Sequence, residues 1–456
     1  MEFRIVSREL VKPSSPEIIQ TKPPHRLCLF DQLTPLTFVP VVLFYANPDH
    51  SNSVLASSTD PFIRRLKRSL AETLDIYYPF SGRTNPDSLF VDSFNAGLPF
   101  TLAQAVDCRL SQFLKRKETE HLNLLLSRQP FQKEPTDVDS PVLELQVSVF
   151  PCGGIVLGWA CSHKLIDASS IISFLATFCA LFRGQRNGVV SPDFAQASQL
   201  LPPRDPFPEN YIKLMETLWF TEENYMTRRV MFDSKSIAQL RAMAAGGGES
   251  IKKLSRVEAL SCFIWKCSMA ASKAVSSASK TSILVEAVNL RKLINPPLPD
   301  AAIGNLFWWA VAAANPYDES NTEMSELGNL VSEGIGLYRT DYVESLQGED
   351  GFEAISGHFE QVEAMFEAEK PDIFGFTSWC GLGFTGQDFG WGKPVWVTPA
   401  GKVGRAFRNM TVLVDSTDGR GSIEAWVTLD EKRMAVLERD PNFLAFACPN
   451  PGISNL

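Results

Sequence analysis

The chain has 456 residues, with 43 Lys and Arg against 52 Asp and Glu for a formal net charge of −9, and 45% of it is hydrophobic. These fractions exclude collagen-like, coiled-coil and disordered classes, and the length leaves room for more than one domain. The acidic balance, without any basic block, speaks against nucleic acid as a partner, because phosphate contacts supply most of that affinity.

Along the chain, apolar runs alternate with helical patterns. Phe38–Tyr45 reads as a strand. Arg64–Leu74 reads as an amphipathic helix with Leu66, Leu70 and Leu74 at helical spacing. Ser88–Asp92 and Leu143–Val149 follow as strands, the second with clean period-2 alternation. Gly153–Cys161 is the strongest strand of the first half, and alternation places Ile155, Leu157, Trp159, Cys161 and His163 on one face. A helix is predicted over Ala168–Phe182, with Asp167 as its N-cap and Gly184 as its stop. Residues 188–208, with Pro202, Pro203 and Pro206, read as the start of a crossover linker. Beyond it, Val230–Phe232 is a strand, Ser234–Ala245 a helix, and Gly246-Gly247-Gly248 a loop. Ser255-Arg256-Val257-Glu258 is a capping box opening a helix through Trp265. Ser282–Leu290, Ala406–Val414 and Ile423–Leu429 complete a β-rich end. The mixed order points to α/β or α+β in two halves.

The start, Met1-Glu2-Phe3-Arg4, lacks the basic and apolar regions of a signal peptide. The longest apolar run, Ile171–Phe182, falls short of the roughly 20 residues of a membrane span. Nine cysteines, an odd count without any CxxC pair, fit reduced thiols. The expectation is a cytoplasmic protein without a membrane partner, in which the sequon Asn409-Met410-Thr411 stays unused.

Several signatures fall away. There is no G-x-S-x-G and no P-loop. Gly381-Leu382-Gly383-Phe384-Thr385-Gly386 matches G-x-G-x-x-G, but the residues after it cannot open the helix that a dinucleotide site requires. Of five histidines, His25, His50, His121 and His358 read as solvated. His163 ends an apolar strand just before a capped helix, and Asp167 follows at the fourth position. An accidental H-x-x-x-D arises about one time in four in such a chain. On spacing alone, a satisfied buried imidazole and a functional base stand as equal readings. Cys161, His163 and Asp167 lack the further ligands of a tetrahedral metal site, so no metal is expected.

A second string, Asp388-Phe389-Gly390-Trp391-Gly392, is far rarer by chance. Taken with His163-Lys164-Leu165-Ile166-Asp167, the chain resembles the BAHD acyltransferases of plants, and within them the alkaloid and terpenoid O-acetyltransferases. Tyr78-Pro79-Phe80-Ser81-Gly82-Arg83, Ser255–Leu260, Val288-Asn289-Leu290-Arg291, Pro296–Pro299, Gly304-Asn305 and Phe376-Thr377-Ser378-Trp379 extend the resemblance over essentially the whole chain.

The resemblance implies an α/β fold of two chloramphenicol-acetyltransferase-like domains, each a mixed sheet with flanking helices, enclosing a channel. They would be residues 1–187 with HxxxD and 221–456 with DFGWG, joined by a linker over 188–220. It implies acyl-CoA as co-substrate, a small-molecule acceptor and a monomer. His163 would be the general base, and Asp167 a structural residue paired with Arg291. Trp379 would be either the donor to the tetrahedral oxyanion or a packed core aromatic. Asp388, Gly390, Trp391 and Gly392 would shape the fold and the CoA channel. Ser255, Arg256, Lys252 and Lys253 are candidates for a basic CoA rim, or plain solvated side chains. Malonyl-using members place an arginine shortly after the catalytic motif; here no basic residue precedes Arg183, which argues for a small neutral acyl group such as acetyl. Position 168 is Ala where many members have Gly, a departure bearing on acceptor fit. N-acylation of an amine and an inactive binding protein on the same fold are the rival readings. The acidic balance could also favour a cationic alkaloid as acceptor.

Overall fold

The computed structural model describes the chain except residues 47–59, 85–88, 117–118, 131–138, 208–210, 212–216, 218–223, 246–253, 277–279, 316, 319, 369, 400, 402–407 and 454–456. The expected Gly246–Gly248 loop, His50, Lys252 and Lys253 therefore lie outside the described residues.

Two mixed sheets organise the molecule. The first runs, edge to edge, Phe3–Val11, Leu98–Ala105, Leu143–Val149, Ile155–Ser162, Phe38–Tyr45 and Trp396–Thr398. Only the Leu98–Ala105 and Leu143–Val149 pair is parallel. The second runs Phe307–Ala314, Ser282–Asn289, Asp372–Ser378, Met410–Asp415, Ile423–Asp430, Tyr225–Phe232 and Cys448–Pro449. Its two central pairs, either side of Asp372–Ser378, are parallel. A small third sheet joins His25–Arg26, Phe90–Asp92, Arg83–Thr84 and Ser140–Pro141.

Helix ends follow from local chemistry. Pro61–Ile76 starts with Asp60 accepting from the Phe62 amide and Pro at its first position. It buries Ile63, Leu66, Leu70 and Leu74. Ala168–Phe182 is capped by Asp167, which accepts from the Ser170 amide, and ends at Gly184 with φ +75°. Arg256–Val275 opens with the Ser255/Glu258 capping box and runs ten residues, nearly three turns, past Trp265, with Cys267, Ser268, Met269 and Ala271 still buried.

Three segments show what the sequence pattern alone does not, and for His25 the structure corrects the expectation. Leu143–Val149 is buried on both faces: the segment Thr119–Leu125 and its continuation cover the polar side. There Ser127 and Arg128 donate to Glu144, and Gln146 donates to the Leu124 carbonyl. His25 is not solvated but 4% exposed, edge-on to Phe194, and burial pushes its pKa down to about 4. The described residues of the expected linker are partly ordered into local structure. They hold the short helix Gln196–Leu200, and Asp193 bridges Ala302.

The two halves also exchange chain. Trp396–Thr398, from the second half of the sequence, completes the first sheet by pairing with Phe38–Tyr45. Just before it, Asp388 Oδ1 accepts from the Gly390 and Gly392 amides. Both glycines have φ near +100° (+97° and +109°), a region that side chains resist. This turn aims Trp391 at Tyr45, Phe62 and Phe182, with Phe389 stacked on it at 4.8 Å. Arg183 donates to the Asp388 carbonyl. DFGWG therefore packs on the first half, at the far end of the helix that Asp167 opens. The Trp396 indole N–H in turn donates to Glu424, which is paired with buried Arg229 of the second sheet. One apolar core accordingly spans both halves, and a second lies within the second sheet and its helices.

Candidate active site

His163 follows the last residue of the strand Ile155–Ser162, in the turn before the helix Ala168–Phe182. Its backbone is held on both sides. The amide donates to the Thr37 carbonyl (2.8 Å), and the carbonyl accepts from Asn305 Nδ2 (2.7 Å). Its Nδ1 meets Asn305 Oδ1 at 3.0 Å.

The protonation pattern follows from the partners. Asn305 Nδ2 contacts two acceptors, the His163 carbonyl and Asp31 Oδ1 (2.8 Å), so this end must be the amide donor. Oδ1 then accepts, and His163 Nδ1 must carry the proton. The lone pair sits on Nε2, which engages no group among the described residues. Burial pushes the His163 pKa below its usual 6.5, opposed by Asp167 and by the hydrogen bond to Asn305. The imidazole is neutral at pH 7. Asp31 is buried too. Burial raises its carboxyl to about 6 against the donors from Cys28 and Asn305 that favour the ionised form.

Asp167 turns from the cavity toward Arg291. Nη1 donates to Oδ2 at 2.7 Å and Nη2 to Oδ1 at 3.0 Å, with both side chains buried. Burial alone would raise the carboxyl, but the guanidinium and the Ser170 donors hold it below its usual value. Arg291 also donates to the carbonyls of Ala302 and Gly304. The pair thus ties the first-half helix to the loop that presents Asn305. Cys161, His163 and Asp167 do not gather as a metal cluster, and none exists among the described residues.

His163, Asp167 and Cys161 line a cavity between the two sheets with an empty volume of about 1400 Å³, its open mouth included. Trp379 lines it from the second half. Its ring stacks on Phe384 (4.8 Å), its amide donates to the Leu413 carbonyl, and its indole N–H engages no acceptor among the described residues. Ser255 and Arg256 are not in the lining. Ser255 caps its helix, and Arg256 donates to Gly421 and to Asp415, whose other oxygen accepts from the Gly381 amide two residues after Trp379. The DFGWG residues are likewise absent from the lining. Sequence reasoning missed Asn305 and Asp31 as the residues that orient His163. Gly304-Asn305 carried a signal only as part of the resemblance.

The family model described as "Transferase family" matches residues 1–444. The chain is 35% identical to akuammiline synthase 2 of Alstonia scholaris, over 99% of this chain and 98% of that protein. It is 34% identical to a limonoid 7-O-acetyltransferase of Citrus sinensis over 99% of both. The crystal structure of vinorine synthase superposes with a TM-score of 0.79 at 30% identity, covering 99% of this chain and all of that one. The fold is the two-domain α/β fold of that structure, and the protein is an acyltransferase of the kind that takes an acyl-CoA co-substrate. The chain belongs to the Transferase family of BAHD acyltransferases.

Proposed function

We infer that the protein transfers an acetyl group from acetyl-CoA to a hydroxyl of a plant specialised metabolite, an alkaloid or terpenoid alcohol, with His163 as general base. One observation carries this: the chain Asp31–Asn305–His163 sets the imidazole as the Nδ1–H tautomer in a residue that lines the cavity, with Nε2 making no hydrogen bond among the described residues. An alcohol is a poor nucleophile near neutrality, and a neutral imidazole within reach removes its proton as attack begins, an effect of about 10²–10⁴. The oxygen–carbon bond forms at the thioester carbonyl, the carbon–sulfur bond breaks, and the imidazolium returns its proton to the leaving thiolate. No acyl-enzyme forms. Burial pushes the Cys161 thiol far above neutrality, so the one cysteine at the cavity is no nucleophile.

Trp379 donates its indole N–H to the developing oxyanion. Asp167 and Arg291 hold the site's frame, and Asp388, Gly390, Trp391 and Gly392 hold the strand exchange. Ser255 and Arg256, with Lys252 and Lys253, are the candidates for a basic rim that meets the CoA phosphates. Among the described residues the lining holds no Lys or Arg, which favours a neutral acyl group over malonyl. The site draws on both halves of one chain, which supports residues 1–187 and 221–456 as the two domains and a monomer as the working unit. All nine cysteines are free, in keeping with the cytoplasm. No helix among the described residues is long and apolar enough to cross a membrane.

The test is release of free CoA thiol from acetyl-CoA over a panel of alkaloid and terpenoid alcohols and amines, with products identified by mass. An ester product supports the reading. An amide product replaces it with N-acylation. Failure to bind any acyl-CoA overturns it in favour of a binding protein.

A further inference from the structure

Trp379 stands where a strand of the second sheet ends. Asp372–Ser378 and Met410–Asp415 are parallel neighbours with Ser378 opposite Leu413, and the Trp379 amide donates to the Leu413 carbonyl (2.8 Å). Beyond that bond the first strand leaves the sheet, while its neighbour runs on for two residues to Asp415.

The departing chain turns at once. The Cys380 amide donates to Ser378 Oγ (3.1 Å) and the Leu382 amide to the Trp379 carbonyl (3.3 Å). Gly381 takes φ +76°, which glycine adopts without strain. Trp379, Leu382 and Phe384 of this stretch line the cavity, and the Trp379 ring stacks on Phe384. The turn therefore sets the direction of the Trp379 indole, yet its own bonds are neutral and the one that closes it is long.

A charged group holds the turn from outside. Asp415 Oδ2 accepts from the Gly381 amide at 2.6 Å, a charge-assisted bond between residues 34 apart in sequence. The overrun of its strand is what brings this carboxylate beside that amide. Asp415 Oδ1 accepts from Arg256 (3.3 Å), whose guanidinium also donates to the Gly421 carbonyl (2.9 Å). Arg256 and Asp415 are 41% and 29% exposed, so their ion pair is weak; Arg256 orients the carboxylate, and the bond to Gly381 holds the turn.

An oxyanion donor acts only from a fixed place, about 2.7–3.1 Å from an oxygen that becomes charged in the transition state. A misplacement of about 1 Å can cost about 10²-fold in rate.

We propose that Asp415 is a positioning residue for acyl transfer: through the Gly381 amide it fixes the turn Trp379–Leu382 and so aims the Trp379 indole N–H at the developing oxyanion. Asp415 is not among the residues that line the cavity, and it acts through the turn. This rests on the acyltransferase reading and on the role given there to Trp379.

The test is a double-mutant cycle in the full chain. Thiol release from acetyl-CoA is measured for the wild type, Asp415→Ala, Trp379→Phe and the double variant. It is followed with the acceptor of the panel that turns over fastest and, without acceptor, for the slower transfer to water, which passes through the same oxyanion. Thermal unfolding midpoints are taken on the same preparations. Asp415→Ala is expected to lower kcat about ten-fold with KM unchanged, and Trp379→Phe to lower it about 10²–10³-fold. The double variant is expected to be no slower than Trp379→Phe, because a displaced turn costs nothing once the donor is gone. Asp415→Asn keeps an oxygen that accepts from the Gly381 amide, and is expected to stay within about three-fold of the wild type. An equal loss from Asp415→Ala in both backgrounds overturns the proposal and leaves the role of Trp379 standing, as does a change in KM or in unfolding midpoint alone. An unchanged kcat for Trp379→Phe overturns the oxyanion role and the proposal with it. No thiol release under any condition overturns the acyltransferase reading on which both rest.

Discussion

Replacing Arg291 by Met isolates the contact that joins the two halves behind the active site. Methionine keeps much of the bulk but removes the guanidinium, so Asp167 loses two charge-assisted bonds and the Ala302 carbonyl loses its donor, while the Gly304 carbonyl keeps the Leu306 amide. Arg291 and Asp167 are 1% and 6% exposed, so water does not replace what is lost. An uncompensated buried carboxylate of this kind costs about 3–5 kcal/mol. The pH dependence carries a sign. In the wild type the Asp167 carboxyl lies below its ordinary 3.8, so its stabilisation is present above that value and is lost as pH falls through the folded-state value. Without Arg291, burial pushes the carboxyl upward, so the variant's deficit is largest near neutrality and shrinks in acid. Denaturant unfolding followed by tryptophan fluorescence, from pH 4 to pH 8, reads both effects. Adding Asp167→Asn removes the orphaned charge while keeping an N-cap, and is expected to recover about 1.5 kcal/mol or more. A loss below about 1 kcal/mol, or no recovery in the double variant, refutes the reasoning.

Three further outcomes follow from the site. Asn305→Ala frees the imidazole to rotate and to exchange tautomers, so kcat is expected to fall about 10²-fold with acetyl-CoA binding unchanged; calorimetric titration with acetyl-CoA beside steady-state rates checks it. Trp379→Phe keeps the stack on Phe384 but removes the indole donor, and a drop in kcat of about 10²–10³ with unchanged KM is expected from parallel kinetics. Because burial lowers the His163 pKa, the acid limb of the kcat/KM profile should turn below pH 6.5, with activity retained above it. A limb centred above that value would contradict the neutral-base assignment.

Local periodicity and capping made much of the scaffold legible. Phe38–Tyr45, Leu143–Val149 and Ala168–Phe182 have the bounds that alternation, helical spacing and the Asp167 and Gly184 signals give. His163 and Asp167 stand out because a strand end and a helix N-cap meet there. What sequence could not reveal depends on contacts between distant segments. Asn305 lies 142 residues from His163 and 274 from Asp31, on a loop without period. His25 sits in a proline-rich stretch that reads as surface until the small sheet and Phe194 close over it. The polar residues of Leu143–Val149 look solvated until another segment covers them with matching donors. Trp396–Thr398 is too short to announce itself as a strand, and its place in the first sheet is fixed by tertiary packing of Trp396 against Phe44, Glu424 and Trp426.

The most direct measurement is single-turnover acetyl transfer by His163→Ala, with acetyl-CoA affinity measured on the same preparation. The account predicts donor binding close to wild type and a transfer rate lower by about 10²–10⁴, because the fold still holds the thioester but nothing takes the acceptor's proton. Transfer at a rate near that of the wild type would contradict it.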